Sequence, residues 1–258
     1  MKIESLNIYP LKSAKGCDVS SIFVDKLGFE YDRYYAICNS NNKILTAREL
    51  PSLLNIKAFI DEEALFLNFK GMSNQISIHE EIEDIELSLF KEPAFGKVVN
   101  HELNEWLSKI LGIDCKLVKI DQNNLRKKNE ENIAFSDLSP IHLVSKESID
   151  LLNQHLEEEV EIDRFRANIV ISGIDAFEEN KINKISIGDC EFKMTSKTKR
   201  CSLITINPDT GIKSKTQEPL RTLAQKFKSS GKVEMGIYLE PTKIGKINST
   251  DKINIEYC

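Results

Sequence analysis

The 258-residue sequence is missing the patterns that define several large functional classes. No stretch approaches the roughly 18 apolar residues of a membrane-spanning helix. The opening "MKIESLNIYPLKS" is strand-like and has no signal-peptide core. The six cysteines at 17, 38, 115, 190, 201 and 258 include no C-x-x-C pair. That argues against zinc ribbons and thioredoxin-type redox motifs. Their separations do not fit a plant-type iron–sulfur centre. His79, His101, His142 and His155 stand alone, without metal-ligand spacing. Flavin-type glycine motifs, haem motifs, internal repeats and low-complexity tracts are also missing. The expectation is a soluble, cytoplasmic protein with reduced thiols. Such a chain cannot take electrons from a pyridine nucleotide unaided.

What is present is ordinary in amount and uneven in placement. A hydrophobic content of 41% and a charged content of 29% fit a folded globular chain with a sizeable core. The net charge is −5. From Lys193 to Lys228, however, nine Lys/Arg stand against only Asp209 and Glu218. That local excess of seven leaves −12 on the remainder. Segregation of this kind points to an anionic ligand; the same run also fits a solvated lysine-rich surface. Nucleic acid is disfavoured, because the balance is acidic and no aromatics interleave the basic run. "EEEVEID", 157–163, reads as a solvated acidic face, or as a dock for a basic redox partner.

The first hundred residues read as short strands separated by polar turns, among them "KIESLNIYPL", "YYAIC", "KILTA", "ALFLNF" and "DIELSLF". "NSNN", 39–42, is a hairpin turn between two of them. "HELNEWLSKIL" has helical spacing and stops at Gly112. "DQNNLRKKNEEN", 121–132, is the most polar stretch and reads as a boundary between halves. Beyond it "SPIHLVS", "RFRANIVIS", "IGDCEFKMTS", "CSLITIN", "VEMGIYLEP" and "DKINIEYC" read as strands. "KESIDLLNQHL", capped by Ser145, and "EPLRTLAQKFK" read as helices. The fold class is therefore mainly β with short helices. It forms two linked β-rich domains, 1–120 and 121–258.

Cys201 is the most unusual residue. It follows Arg200 behind a lysine-rich lead and precedes the turn "INPDTG". A thiolate is the metal-binding form of cysteine, and neighbouring cations favour it.

The order "SPIHLVS", helix, "DRFRANIVIS", "ISIGDCEFK", "KRCSLITINPDTG", "EPLRTLAQ", "MGIYLEP" resembles the MOSC domain. This domain is shared by the C-terminal part of molybdenum cofactor sulfurases and by the amidoxime-reducing enzymes. "YPLKSAKG", "LGFEYDRYYAI" and "ILTARELPSL" resemble the β-barrel domain that precedes it. The likeness covers nearly the whole chain and is greatest to the mitochondrial amidoxime-reducing component and its bacterial relatives.

The resemblance implies a molybdenum cofactor in its molybdopterin form, with Cys201 as the protein ligand to the metal. Sulfur suits a metal already held by dithiolene sulfurs. It also implies cofactor contacts from Lys12 and Ser13 of "LKS", Arg33 of "DRYY", Ser139 of "SDLSP", Arg166 and Asn168 of "FRAN", and Arg200. Arginine grips phosphate as a fork, lysine as a point charge. Asp137 matches an acid near the metal that positions substrate or relays a proton; its plain alternative is an Asx turn. Ala167 stands where the family has proline, and Ile237 where it has glutamine.

The implied activity is reduction of small N-hydroxylated compounds with electrons from a separate donor protein. The alternative is a non-redox sulfur carrier or cofactor-binding module with a persulfide on Cys201. A third reading, an interaction protein with a degenerate site, fits poorly with Lys12, Arg33, Arg166 and Cys201 together. Pyridoxal phosphate binding belongs to the sulfurases' own desulfurase domain, which this sequence is not expected to contain.

Overall fold

A computed structural model describes residues 1–128, 131–228 and 231–258. Two residues of the polar stretch 121–132 lie outside the described residues. The alternation read from the sequence becomes paired strands. In Ala64–Phe69, Leu65, Leu67 and Phe69 are buried while the residues between them are half-exposed, the period-two signature of a strand covered on one face. The helix His101–Leu111 forms as its spacing predicts. Asn100 caps it by accepting from the Leu103 N–H at 2.7 Å, and Gly112 ends it with φ +71°. Leu103, Leu107 and Leu111 are its buried stripe.

The largest sheet has eight strands in the order Cys17–Val19, Lys2–Ile8, Ile169–Ser172, Ile141–Ser145, Glu234–Lys243, Cys190–Lys199, Ile182–Ile187 and Ile253–Tyr257. The first strand of the chain pairs antiparallel with Ile169–Ser172. The sheet thus joins residues from both ends of the sequence. Ile141–Ser145 and Ile169–Ser172 pair parallel and are buried at every position. Their near-continuous apolar character follows from being covered on both faces. A four-stranded sheet (Tyr35–Asn39, Cys115–Ile120, Glu92–Val98, Glu83–Leu89) and a three-stranded one (Ile56–Ile60, Ala64–Phe69, Met72–Ser77) make up most of the first half. Their core runs from Leu11 to Phe135. A second core, from Ile3 to Ile247, lies on the eight-stranded sheet. The fold is mainly β, as expected, and among the described residues no helix is long and apolar enough to cross a membrane.

Three expected strands take other forms. "KILTA" makes isolated bridges, Cys38 to Ile44 and Lys43 to Ser88, rather than a ladder. "RFRANIVIS" is a strand only in its second part, because Arg164 and Phe165 belong to a 3-10 turn over Ile162–Phe165 that ends on Arg166 in the left-handed region. The strand follows only at Ile169. "CSLITIN" is likewise a 3-10 turn, Ser202–Thr205, entered from an extended Cys201. Its carbonyls are used locally: Cys201 O accepts from Ile204 N, and Ser202 O accepts from the Thr205 hydroxyl at 2.7 Å. This turn re-aims the chain after the long strand Cys190–Lys199 and leaves Cys201 exposed at its start.

Candidate functional site

The two halves enclose a cavity of about 350 Å³. All nine residues singled out in the sequence line it: Lys12, Ser13, Arg33, Asp137, Ser139, Arg166, Asn168, Arg200 and Cys201. The first three come from the first half and the rest from the second. The lining carries eight lysines and arginines against one acid, Asp137.

Each cation is held differently. Lys12 is buried; its ammonium donates to the Phe135 carbonyl at 2.7 Å and to the Asp137 carboxylate. Arg33 is paired with the buried Asp32 carboxylate, and also donates to Asn168 Oδ1 at 3.0 Å and the Arg166 carbonyl at 3.3 Å. Arg166 donates to the Ala14 carbonyl at 2.6 Å. Both of these arginines pack on the ring of Tyr9, with each guanidinium carbon 4.3 Å from its centroid. The negative face of an aromatic ring attracts a cation, so one tyrosine offsets the repulsion of two like charges. Ser13, Arg33 and Arg166 all have left-handed backbones, with φ of +68°, +56° and +54°. Such conformations cost non-glycine residues energy and gather where a site dictates geometry.

Arg200 donates from Nε to the Met235 carbonyl at 2.9 Å and from Nη1 to the Phe165 carbonyl at 3.4 Å. Its Nη2 lies 2.7 Å from His142 Nε2. Among the described residues, neither Arg166 nor Arg200 has a carboxylate partner. Burial pushes both guanidinium pKa values down to about 10, with the Arg33 charge adding to the effect at Arg166. Both stay charged near neutrality. Two enclosed cations without counter-charges carry an electrostatic cost that an anion in the cavity would relieve.

Asn168 and Ser139 face inward but are largely occupied. Asn168 Oδ1 accepts from Arg33 and from the His142 N–H at 3.2 Å, while its Nδ2 donates to the Asn7 carbonyl at 3.1 Å. It ties three strands and an arginine together. The Ser139 hydroxyl donates to the Leu239 carbonyl at 3.2 Å. Asp137 forms the Lys12 pair rather than a turn with its own backbone. Phe90 and Leu138, each about two-fifths exposed (42% and 41%), give the lining two uncovered apolar surfaces.

His142 and Tyr238 were not singled out by sequence reasoning, yet both line the cavity with ring centroids 5.6 Å apart. His142 is buried on the strand Ile141–Ser145, and its partner Arg200 is 58 residues away. The one sequence signal was its place two residues after "SP" in the same motif.

Comparison with known proteins identifies the family. Residues 1–114 match the MOSC N-terminal beta barrel domain and residues 130–254 the MOSC domain. The chain is 28% identical to mitochondrial amidoxime reducing component 2 of Bos taurus, over 97% of this chain and 79% of that one. It is 31% identical to mitochondrial amidoxime-reducing component 1 of Mus musculus, over 86% and 70%. With the molybdenum cofactor sulfurase of Oryza sativa subsp. japonica it shares 30% identity, over 92% of this chain and 32% of that longer protein. Nearly the full length is accounted for, in the order read from the motifs: the chain belongs to the MOSC family, with the family's N-terminal β-barrel domain ahead of the MOSC domain.

Proposed function

We propose that the chain is a cytoplasmic molybdenum-cofactor oxidoreductase that reduces small N-hydroxylated compounds, with its cofactor in the cavity between segments 1–120 and 121–258. One observation carries the reading: an exposed thiol and two guanidinium groups without carboxylate partners line the same cavity. The donor set fits the group. A phosphate-bearing dithiolene needs cations for its phosphate and a soft ligand for its metal. Arg166, Arg200 and Lys12 would hold the phosphate end, and Cys201 would ligate the metal. When bound, the cofactor supplies the two-electron chemistry that removes oxygen from the substrate.

This chain's own residues set the conditions. Arg166, held by the Ala14 carbonyl and the Tyr9 ring, and Arg200 keep positive charge in place before any ligand arrives, so no reorganisation is needed on binding, while Asp32 fixes Arg33 and offsets its charge. Asp137, held by Lys12, is the group placed to orient a substrate N–H or O–H or to hold a proton. Phe90 and Leu138 offer the apolar wall for the body of the substrate. Electrons come from a separate donor protein.

The test is metal and pterin analysis of the purified protein, together with reduction of a model amidoxime by an artificial donor. Stoichiometric molybdenum and pterin with turnover support the proposal. The exposure of Cys201 also suits a sulfur carrier; cyanide-labile sulfur without metal would favour that reading instead. Robust NADH-dependent turnover by the chain alone would contradict the separate donor.

A further inference from the structure

Arg200 is fixed by neutral acceptors. Two are backbone carbonyls, and the third is His142. A guanidinium has no acceptor to offer, so at 2.7 Å the imidazole Nε2 must present its lone pair, and the ring is neutral with its proton on Nδ1. Burial and the Arg200 charge hold the ring well below the usual histidine range, in keeping with a neutral ring.

The contact depends on a break in the sheet. Lys197 pairs with Ile237, but Lys199 pairs with Glu234, so the strand Glu234–Lys243 carries an extra residue in a bulge. Gly236 sits there with φ +75°. A Cβ on it would come within 2.8 Å of His142 Nε2, 3.3 Å of Arg200 Nη2 and 2.6 Å of the Leu143 carbonyl. The bulge and its glycine make the space in which His142 and Arg200 meet. Arg33 is the contrast, because its fork is pinned by the Asp32 carboxylate and its charge is offset.

We infer that His142 is the positioning residue of Arg200, a neutral acceptor that fixes the guanidinium beside Cys201 while leaving its charge for an anionic ligand. The inference rests on the anion-binding reading of the cavity given above. A carboxylate in place of His142 would hold Arg200 equally well and cancel that charge. A merely structural role for His142 predicts that such a variant is as good as the native protein.

The experiment uses the full chain prepared without cofactor, inorganic phosphate as probe, and thermal shift with calorimetric titration as readouts. His142→Gln keeps a neutral acceptor and should bind phosphate as the native chain does. His142→Glu should melt at or above the native temperature but bind phosphate at least about tenfold more weakly, the scale of one charge-assisted hydrogen bond. His142→Leu removes the acceptor and should also weaken binding. Native-like phosphate affinity in His142→Glu overturns the inference and leaves the anion cavity standing. If His142→Glu does not fold, unchanged affinity in His142→Leu overturns it instead. If the native chain does not bind phosphate, both the cavity reading and the inference fail. Nitrogen NMR of His142 gives a readout independent of variants: a protonated Nε2 contradicts the inference.

Discussion

The Lys12 ammonium donates to the Asp137 carboxylate, joining two residues 125 positions apart in the chain across the cavity. Burial pushes the Asp137 carboxyl up, but the Lys12 charge and hydrogen bond outweigh this and hold it below its ordinary value. Burial likewise pulls Lys12 down, with Asp137 opposing. The lysine is therefore partly offset until something displaces its partner.

Asp137→Asn should release that charge. We expect phosphate binding to the cofactor-free chain to tighten several-fold and amidoxime reduction to fall. Because the folded carboxyl is held low, its stabilising contribution is present above the unfolded carboxyl's pKa, near 3.8, and is lost as pH falls through the lower folded value. The Asp137 side chain is 46% exposed, so the effect is at most about 1 kcal/mol. Melting curves of both proteins from pH 2.5 to 7 check the sign. A native-minus-variant difference that grows on acidification would contradict it.

Cys201→Ser replaces a soft thiolate with a hydroxyl that stays protonated near neutrality, so molybdenum and activity should both be lost. The proper control is the exposed Cys258→Ser. Cys190, which from the sequence looks equally neutral as a control, is fully buried on the second core, and serine there would bury a hydroxyl. Retention of both metal and activity in Cys201→Ser would remove the ligand assignment.

Tyr9 packs against two arginines with its ring, while its hydroxyl makes a 3.4 Å contact to the Ala167 carbonyl. Tyr9→Phe should be close to native in stability and phosphate affinity. Tyr9→Leu should cost about 1–4 kcal/mol, from two cation–π contacts and lost packing, and should weaken phosphate binding. Equal behaviour of the two variants in urea unfolding would show that the ring does not hold the arginines.

Glu179 is fully buried, and its carboxylate accepts from the hydroxyls of Ser145 and Ser148 at 2.8–2.9 Å. Burial raises its pKa despite those bonds. Between the unfolded value near 4.5 and the raised folded value, the native state binds more protons than the unfolded chain. Stability therefore falls as pH rises through that window. Glu179→Gln does not titrate. Its stability relative to native should rise from about pH 4.5 upward and then level off, at about 1.4 kcal/mol per tenfold change in acidity. A difference independent of pH from 4 to 9 would count against the buried-carboxylate account.

The parts legible in the sequence were those written locally. The stripe Leu103, Leu107, Leu111, the stop at Gly112 and the Ser145 cap need only neighbours in the chain. The gathering of Lys12, Arg33, Arg166 and Cys201 in one cavity was legible through motif order, not through composition. "CSLITIN" misleads because its β-branched content suits a strand, whereas Ile206 packs with Ala47 and Leu54 of the first half and the chain turns to reach them. "EPAFGKV" carries a weak strand signal because of Pro93 and Gly96, yet two neighbouring strands pair with it. His142 was illegible for a physical reason: an imidazole acquires its role from the arginine and the bulge that surround it.

The pairing of Lys2 with Ser172 and of Leu6 with Ile169 has a consequence for how this chain is made. During synthesis the strand Lys2–Ile8 has only the short strand Cys17–Val19 beside it until the polypeptide has grown by about 165 more residues, on the order of ten to thirty seconds at ordinary rates of synthesis. Through that interval Ile3, Leu6 and Ile8 have no core to enter. A fragment that begins at residue 130 would in turn leave Ile169–Ser172 as an open edge, able to recruit a strand from another molecule. The halves can be told apart along the sequence, but the sheet is completed only when the beginning of the chain is returned to it.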